Sequence, residues 1–339
     1  MSDPLATRYL GMRLRSPLVP AASPLTLRLD NLRALEDAGA GAVVLGSLFE
    51  ERIRNAAVAP CAVEDAPLSE LEQVAQGLSP SPEDYLDLVR QAKHELRIPV
   101  IASLNSSAIG HWVQCASRIE AAGADALELN LHLLPTDPST PGSRVERDYL
   151  DIVESVRLAT KLPLAVKIPP FFSSIPAMAA ALERAGAGAL VLFQRGYEPE
   201  VDLETRTMHA RWPLTRPECG PLSLRWISIL HGRVGMDLAA SGGIRDARDS
   251  LSAIAVGAHA TMLCTALLVR GIEHLRGVRD SMAHWLDEHG VASLDHLRGT
   301  VGMGLPRDAG IAERVNYLAA QQSFHRRPEA GEFPWSCLP

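Results

Sequence analysis

One short phrase recurs four times along this chain: Gly-Ala-x-Ala, followed at once by an apolar run. It stands at Gly39-Ala40-Gly41-Ala42 before Val43-Val44-Leu45, and at Gly123-Ala124-Asp125-Ala126 before Leu127-Glu128-Leu129. It returns at Gly186-Ala187-Gly188-Ala189 before Leu190-Val191-Leu192, and at Gly257-Ala258-His259-Ala260 before Thr261-Met262-Leu263. Amphipathic stretches such as 31–38 and 178–185 precede it. Glycine stops a helix by turning left-handed, and the apolar run behind it reads as a strand buried on both faces. Helix, stop, strand, repeated, is the pattern of a parallel α/β protein.

Three further junctions use another stop signal. Ile98-Pro99 precedes 100–104, Leu162-Pro163 precedes 164–167 and Gly235-Met236 precedes 237–240. Proline cannot continue a helix and holds the residue before it extended. With an initial strand over 18–21, the reading predicts eight strands beginning near residues 18, 42, 100, 126, 164, 189, 237 and 260. Helical patterning between them is clearest over 82–96, 112–122, 149–160 and 223–232, and a closing helix carries Ile272, Leu275, Met282 and Leu286 on one stripe. Eight βα units predict a single (β/α)8 TIM barrel. The rival, a doubly wound open sheet, would want Gly-x-Gly-x-x-Gly after its first strand, and none is there.

The barrel is expected over residues 1–299, with 300–339 as a C-terminal extension packed on its outer face or on a neighbouring subunit. Loops after strands two (47–81) and six (194–222) are much longer than the usual few residues. The net charge of −7 offers no basic field for nucleic acid. Five scattered cysteines without Cys-x-x-Cys spacing suggest reduced thiols in a cytosol, with no metal site. Neither a signal peptide nor a membrane span is read in the sequence.

Chemistry in such a barrel sits where the strands end. Strand four ends Glu128-Leu129-Asn130 and runs on to His132; alternation puts Glu128, Asn130 and His132 on one face. Strand five ends in Lys167, and a lysine there must meet an anion or lose its charge. The residues leave open a cofactor contact, an ion pair with Glu128 or a Schiff-base nucleophile. After strand seven comes Ser241-Gly242-Gly243, with a helix starting near Asp246; after strand eight comes Cys264-Thr265. Paired glycines beside a helix start suit an anion, and loops seven and eight are the common phosphate site of barrel enzymes.

Four stretches together resemble the FMN-dependent dihydroorotate dehydrogenases, most closely a divergent, dihydroorotate dehydrogenase-like branch. They are Glu128-Leu129-Asn130, Pro163-Leu164-Ala165-Val166-Lys167-Ile168-Pro169-Pro170, Ala240-Ser241-Gly242-Gly243-Ile244 and the segment from Gly257 to Leu267. The resemblance implies FMN across the barrel mouth, with its phosphate near Gly242, Gly243, Cys264 and Thr265. It puts Ala21, Ala22 and Ser23 beneath the ring and Ser47, Asn105, Asn130 and Lys167 around it. Lys167 would stabilise the anion formed when hydride reaches flavin N5. A CH–CH donor, a soluble electron acceptor or partner protein, a cytoplasmic homodimer and a place in pyrimidine biosynthesis are implied as well.

On the substrate side the chain departs from the family pattern. Gly46 stands where a lysine is expected, Leu133 stands at the position of the Cys or Ser base, and Phe193-Gln194-Arg195 replaces an Asn-Ser pair. Asn130, Gln194 and Arg195 are the candidate substrate contacts. His132 and Thr136 are the candidate replacements for the base, and Asp137 reads more readily as a turn cap. The substrate is therefore expected to differ from dihydroorotate. A Schiff-base lyase using Lys167 and a flavin-binding electron-transfer subunit without turnover are the alternatives.

Overall fold

The structure, a computed structural model, describes residues 3–49, 80–106, 112–194, 196, 198–211, 214–302 and 309–324. The four repeated phrases act as the sequence suggests. Gly39, Gly123, Gly186 and Gly257 have φ of 105°, 95°, 104° and 122°. Each ends a helix in a backbone region that a side chain resists, and a strand follows within four residues. The barrel strands are β1 (Leu18–Pro20), β2 (Val43–Val44), β3 (Val100–Ser106), β4 (Ala126–Leu131), β5 (Leu164–Ile168), β6 (Ala189–Leu192), β7 (Asp237–Ser241) and β8 (Ala260–Leu263).

The strands are parallel and lie in the order β1-β8-β7-β6-β5-β4-β3-β2, with the short segment Leu48–Phe49 also pairing with β3. The two ends of that path meet where the Gly41 N–H donates to the Leu18 carbonyl at 2.9 Å. A Cβ on Gly41 would sit 1.9 Å from the Ser16 carbonyl oxygen, so this seam admits only glycine. The nearly closed (β/α)8 barrel is the predicted architecture, with strand starts within one residue of those read from the sequence.

Side chains divide by strand alternation. Leu127, Leu129, Leu131, Val166, Ile168, Leu190, Leu192 and Leu263 face outward into the main core under the helices. Val19, Val44, Ile101, Ala126, Ala165, Val191 and Met262 form a second core inside the barrel. That inner core is sealed by an antiparallel hairpin, Thr7–Tyr9 with Met12–Leu14, which sequence patterning did not reveal. Tyr9, Leu10 and Leu14 fill space left by the small alanines of β4, β5 and β7. Asp237, at the start of β7, accepts the Leu10 N–H at 2.7 Å and fixes the plug.

Helices over Pro82–Glu95, Trp112–Ala121 and Gly220–Leu230 lie close to the predicted spans. The helix Gly142–Ala159 starts two turns earlier than predicted, because its first residues are polar and carry no apolar stripe. The closing helix is His274–Glu288, burying Leu275, Val278, Met282 and Leu286, while Ile272 precedes it. The stretch after β6, read as a long loop, contains an exposed hairpin, Glu198–Asp202 with Thr207–Arg211. A further helix, Ala309–Phe324, is held to Gly220–Leu230 by an ion pair between Arg225 and Glu313 at 2.7 Å. No described helix is long and apolar enough to cross a membrane.

Candidate active site

Ladder register brings the predicted polar residues together at the carboxyl ends of the strands. Asn105 lies opposite Asn130, and Asn130 opposite Lys167. One inward position lower, Ser103 lies opposite Glu128, and Glu128 opposite Ala165. Ser47 joins this lower level through a 2.8 Å hydroxyl contact with Ser103. Ser103 in turn donates its N–H to the buried Tyr85 hydroxyl at 2.7 Å.

Glu128 is only 1% exposed, and neither of its carboxyl oxygens has a hydrogen-bond partner. Burial raises its pKa, against a smaller downward pull from Lys167. The ion pair between the two side chains is therefore not formed at hydrogen-bonding distance. The reason is register: Lys167 stands beside Asn130, and the residue beside Glu128 is Ala165. Glu128 and Lys167 are the buried acidic and basic side chains among the described residues. Lys167 also acts on Cys264, whose thiol burial pushes up in pKa, opposed by Lys167 and a hydrogen bond with Ser23. Residues from the ends of β1, β5 and β8 thus converge, helped by the Ala21 N–H donating to the Leu263 carbonyl at 2.8 Å.

Gly242 and Gly243 turn at φ of 90° and 80°. A Cβ on Gly243 would meet the Gly220 nitrogen at 2.4 Å, so the N-terminus of the helix Gly220–Leu230 rests directly on this turn. Asp246 caps the next helix by accepting the Asp249 N–H at 3.0 Å, as its sequence position suggests. Beside the turn, Thr265 Oγ1 accepts the Thr215 N–H and donates to Thr215 Oγ1, both at 3.1 Å. Thr215 belongs to the long segment after β6, and no sequence signal marks it.

Between β4 and β6 the rim carries further polar atoms without partners. Asn130 Oδ1, His132 Nδ1 and Gln194 Oε1 are all buried and unbonded. The two loops touch: a Cβ on Gly196 would lie 3.3 Å from His132 Cε1. Burial lowers the His132 pKa and keeps the imidazole neutral near pH 7. His132 also lines a cavity of about 470 Å³ with Thr136, Asp137, Thr140 and Asp148. Thr136 is exposed. Asp137 caps its own turn, accepting the Ser139 N–H at 2.8 Å and its hydroxyl at 2.7 Å, and these bonds hold its carboxyl below the usual range. Leu133, at the expected base position, packs its side chain against the main core and donates its N–H to the Tyr149 hydroxyl at 3.2 Å. Arg195 lies outside the described residues. Gly46 faces Leu27, where an added Cβ would come 2.5 Å from Leu27 Cγ.

A family model described as dihydroorotate dehydrogenase matches residues 4–286. The chain belongs to the dihydroorotate dehydrogenase family. Among its relatives is the dihydroorotate dehydrogenase B (NAD(+)), catalytic subunit, of Thermoplasma acidophilum, 29% identical over 310 residues that cover 88% of this chain and 99% of the relative. The protein of the same name from Methanothermobacter thermautotrophicus is 26% identical over 303 residues, 87% of this chain and 97% of the relative. That of Pyrococcus abyssi is 26% identical over 309 residues, 87% and 98% respectively. Membership of the dihydroorotate dehydrogenase family makes the chain an oxidoreductase of a flavin-dependent kind. It also disfavours the Schiff-base alternative for Lys167.

Proposed function

We propose that the chain binds FMN across the barrel mouth and oxidises a CH–CH donor other than dihydroorotate. The observation that carries this reading is the set of buried, unbonded polar atoms on Glu128, Asn130, His132 and Gln194, at the ends of β4 and β6, with the glycine turn following the neighbouring β7. Buried polar groups normally find partners, so an orphaned cluster in an enzyme mouth is a ligand site. The residues fit FMN: a flat ring edge is offered donors and acceptors by Ser47, Asn105, Asn130 and Lys167, with Ala21, Ala22 and Ser23 below. Gly242, Gly243, Cys264 and Thr265 suit the phosphate, and Thr215 extends that set. When bound, FMN supplies the two-electron acceptor for the hydride that leaves a substrate C–H bond.

The protein's own part is charge placement and proton transfer. Lys167 would stand at the ring edge, in a buried site where little water screens a charge. Leu133 cannot take a proton, and Asp137 is engaged in its turn. His132 stands in as the base at Nδ1, because its imidazole is neutral and that nitrogen is unbonded. Asn130, Gln194 and Arg195 orient the donor. The name carried by the relatives supports NAD+ or a partner subunit as the acceptor, and we place the protein as a cytoplasmic homodimer.

Reconstitution with FMN tests the reading. The expected result is a yellow protein with a flavin spectrum, and Lys167→Ala weakening FMN affinity by at least about tenfold. A protein that takes up no FMN overturns it. Dihydroorotate is expected to bleach the bound flavin negligibly under anaerobic conditions, and rapid bleaching would restore it as the donor.

A further inference from the structure

We infer that the Glu128 carboxyl and the Tyr9 hydroxyl form a buried acid pair beneath the mouth, acting on a bound ligand as positioning residues through Lys167. The pair stands on the barrel interior alone; its link to the ring edge rests on the flavin-site reading above and deepens it. Tyr9 is 0% exposed and Glu128 1%. Tyr9 enters from the hairpin below and packs in the inner core with Ala126 and Ala165, the inward residues that flank Glu128. Its hydroxyl and both Glu128 oxygens are buried without a partner. Ser103, opposite Glu128, is already joined to Ser47 and Tyr85, and Asp237 is engaged with the Leu10 N–H. A phenol and a carboxylic acid each donate one hydrogen bond and accept others. The two orphan groups therefore satisfy one another, directly or through one enclosed water.

Register sets Lys167 one inward position above Ala165, so Glu128 and Lys167 are diagonal neighbours across β4 and β5. The titratable groups facing Glu128 are Lys167 from β5, Tyr9 from the hairpin and Tyr85 from the helix Pro82–Glu95. Asp237 of β7 acts on Tyr9, and Lys167 acts also on Cys264 after β8. Val19, Val44, Val191 and Ala239 complete the inner wall with apolar surface. Burial holds the Glu128 proton while Lys167 pulls toward ionisation. Negative charge seated against Lys167 offsets that pull, so Glu128 keeps its proton more firmly once an anion arrives at the mouth. Two-electron reduction of a flavin brings such charge to that edge. Whatever fraction of Glu128 is ionised beforehand then takes a proton from water, forming one O–H bond, and no electron passes to the protein.

Infrared spectroscopy of the full chain tests the pair without cofactor. At pH 7 the flavin-free protein is expected to show a protonated-carboxyl band that Glu128→Gln removes, at the lowered frequency of a hydrogen-bonded acid. Tyr9→Phe is expected to move that band to higher frequency. No such band, a free-acid frequency in the wild type, or a band unmoved in Tyr9→Phe overturns the pair. Lys167→Met removes the opposing pull, so the band is expected to persist to higher pH; an unmoved titration overturns the coupling. In FMN-loaded protein the flavin midpoint potential is expected to fall more steeply with pH in the wild type than in Glu128→Gln, by up to one proton per two electrons. Parallel slopes overturn the link to the ring edge. A protein that holds no FMN brings down the flavin reading instead, while the infrared arms still decide the pair.

Discussion

Replacing Glu128 by glutamine isolates one buried proton. The side chain is 1% exposed, its oxygens are unbonded, and burial outweighs the attraction of Lys167 in raising its pKa. Below the unfolded carboxyl value of about 4.3, both folded and unfolded chains carry the proton and the contribution of Glu128 is complete. Above it the unfolded chain ionises first, so the unfolded state binds fewer protons than the folded one. Stability then falls by up to about 1.4 kcal/mol per pH unit while the folded carboxyl keeps its proton. The loss is complete once pH passes the raised folded value. Glutamine has the same shape and does not titrate, so Glu128→Gln should match the wild type near pH 4 and gain on it as pH rises. Urea denaturation of flavin-free protein at half-unit steps from pH 4 to 8 measures the gap. Parallel curves would refute the reasoning by showing an ordinary, solvated carboxyl. A wild type more stable than the variant at pH 7 would also refute it, since that outcome requires an ion pair with Lys167.

Two other substitutions test how the mouth and the floor are held. Gly243→Ala forces a Cβ to within 2.4 Å of the Gly220 nitrogen at a φ of 80°, so it should cost about 2–4 kcal/mol in urea denaturation. A cost below about 0.5 kcal/mol would mean that the helix does not rest on the turn. Asp237→Asn weakens or removes the acceptor of the Leu10 N–H beneath the barrel and should cost about 1–3 kcal/mol, with faster exchange of the Leu10 amide proton. Unchanged exchange would show that the plug is held without it.

The barrel was legible because its punctuation is local. Gly39, Gly123, Gly186 and Gly257 end helices through their own backbone freedom, and Pro99 and Pro163 restrict the residue before them. Such signals act within a few residues, so a string of letters carries them whole. Strand alternation likewise put Glu128, Asn130 and His132 on one face before any partner was known. Lys167 at the end of a buried strand and the Gly242-Gly243 turn stood out for the same reason, as short contiguous signals to which the resemblance then attached roles.

Only the tertiary structure decided what each polar group meets. Register placed Lys167 beside Asn130 and left Glu128 against Ala165, dissolving the ion pair that the sequence allowed. Leu27 reaches Gly46, Thr215 reaches Thr265 across fifty residues, and Gly220 rests on Gly243. The plug of Tyr9 and Leu10 depends on alanines contributed by strands far along the chain. Contacts of this kind follow from closing the sheet on itself, which sets distances between residues that share no local pattern. A chain's own letters fix where it bends and which face is apolar; closure of the barrel fixes which side chains face its mouth.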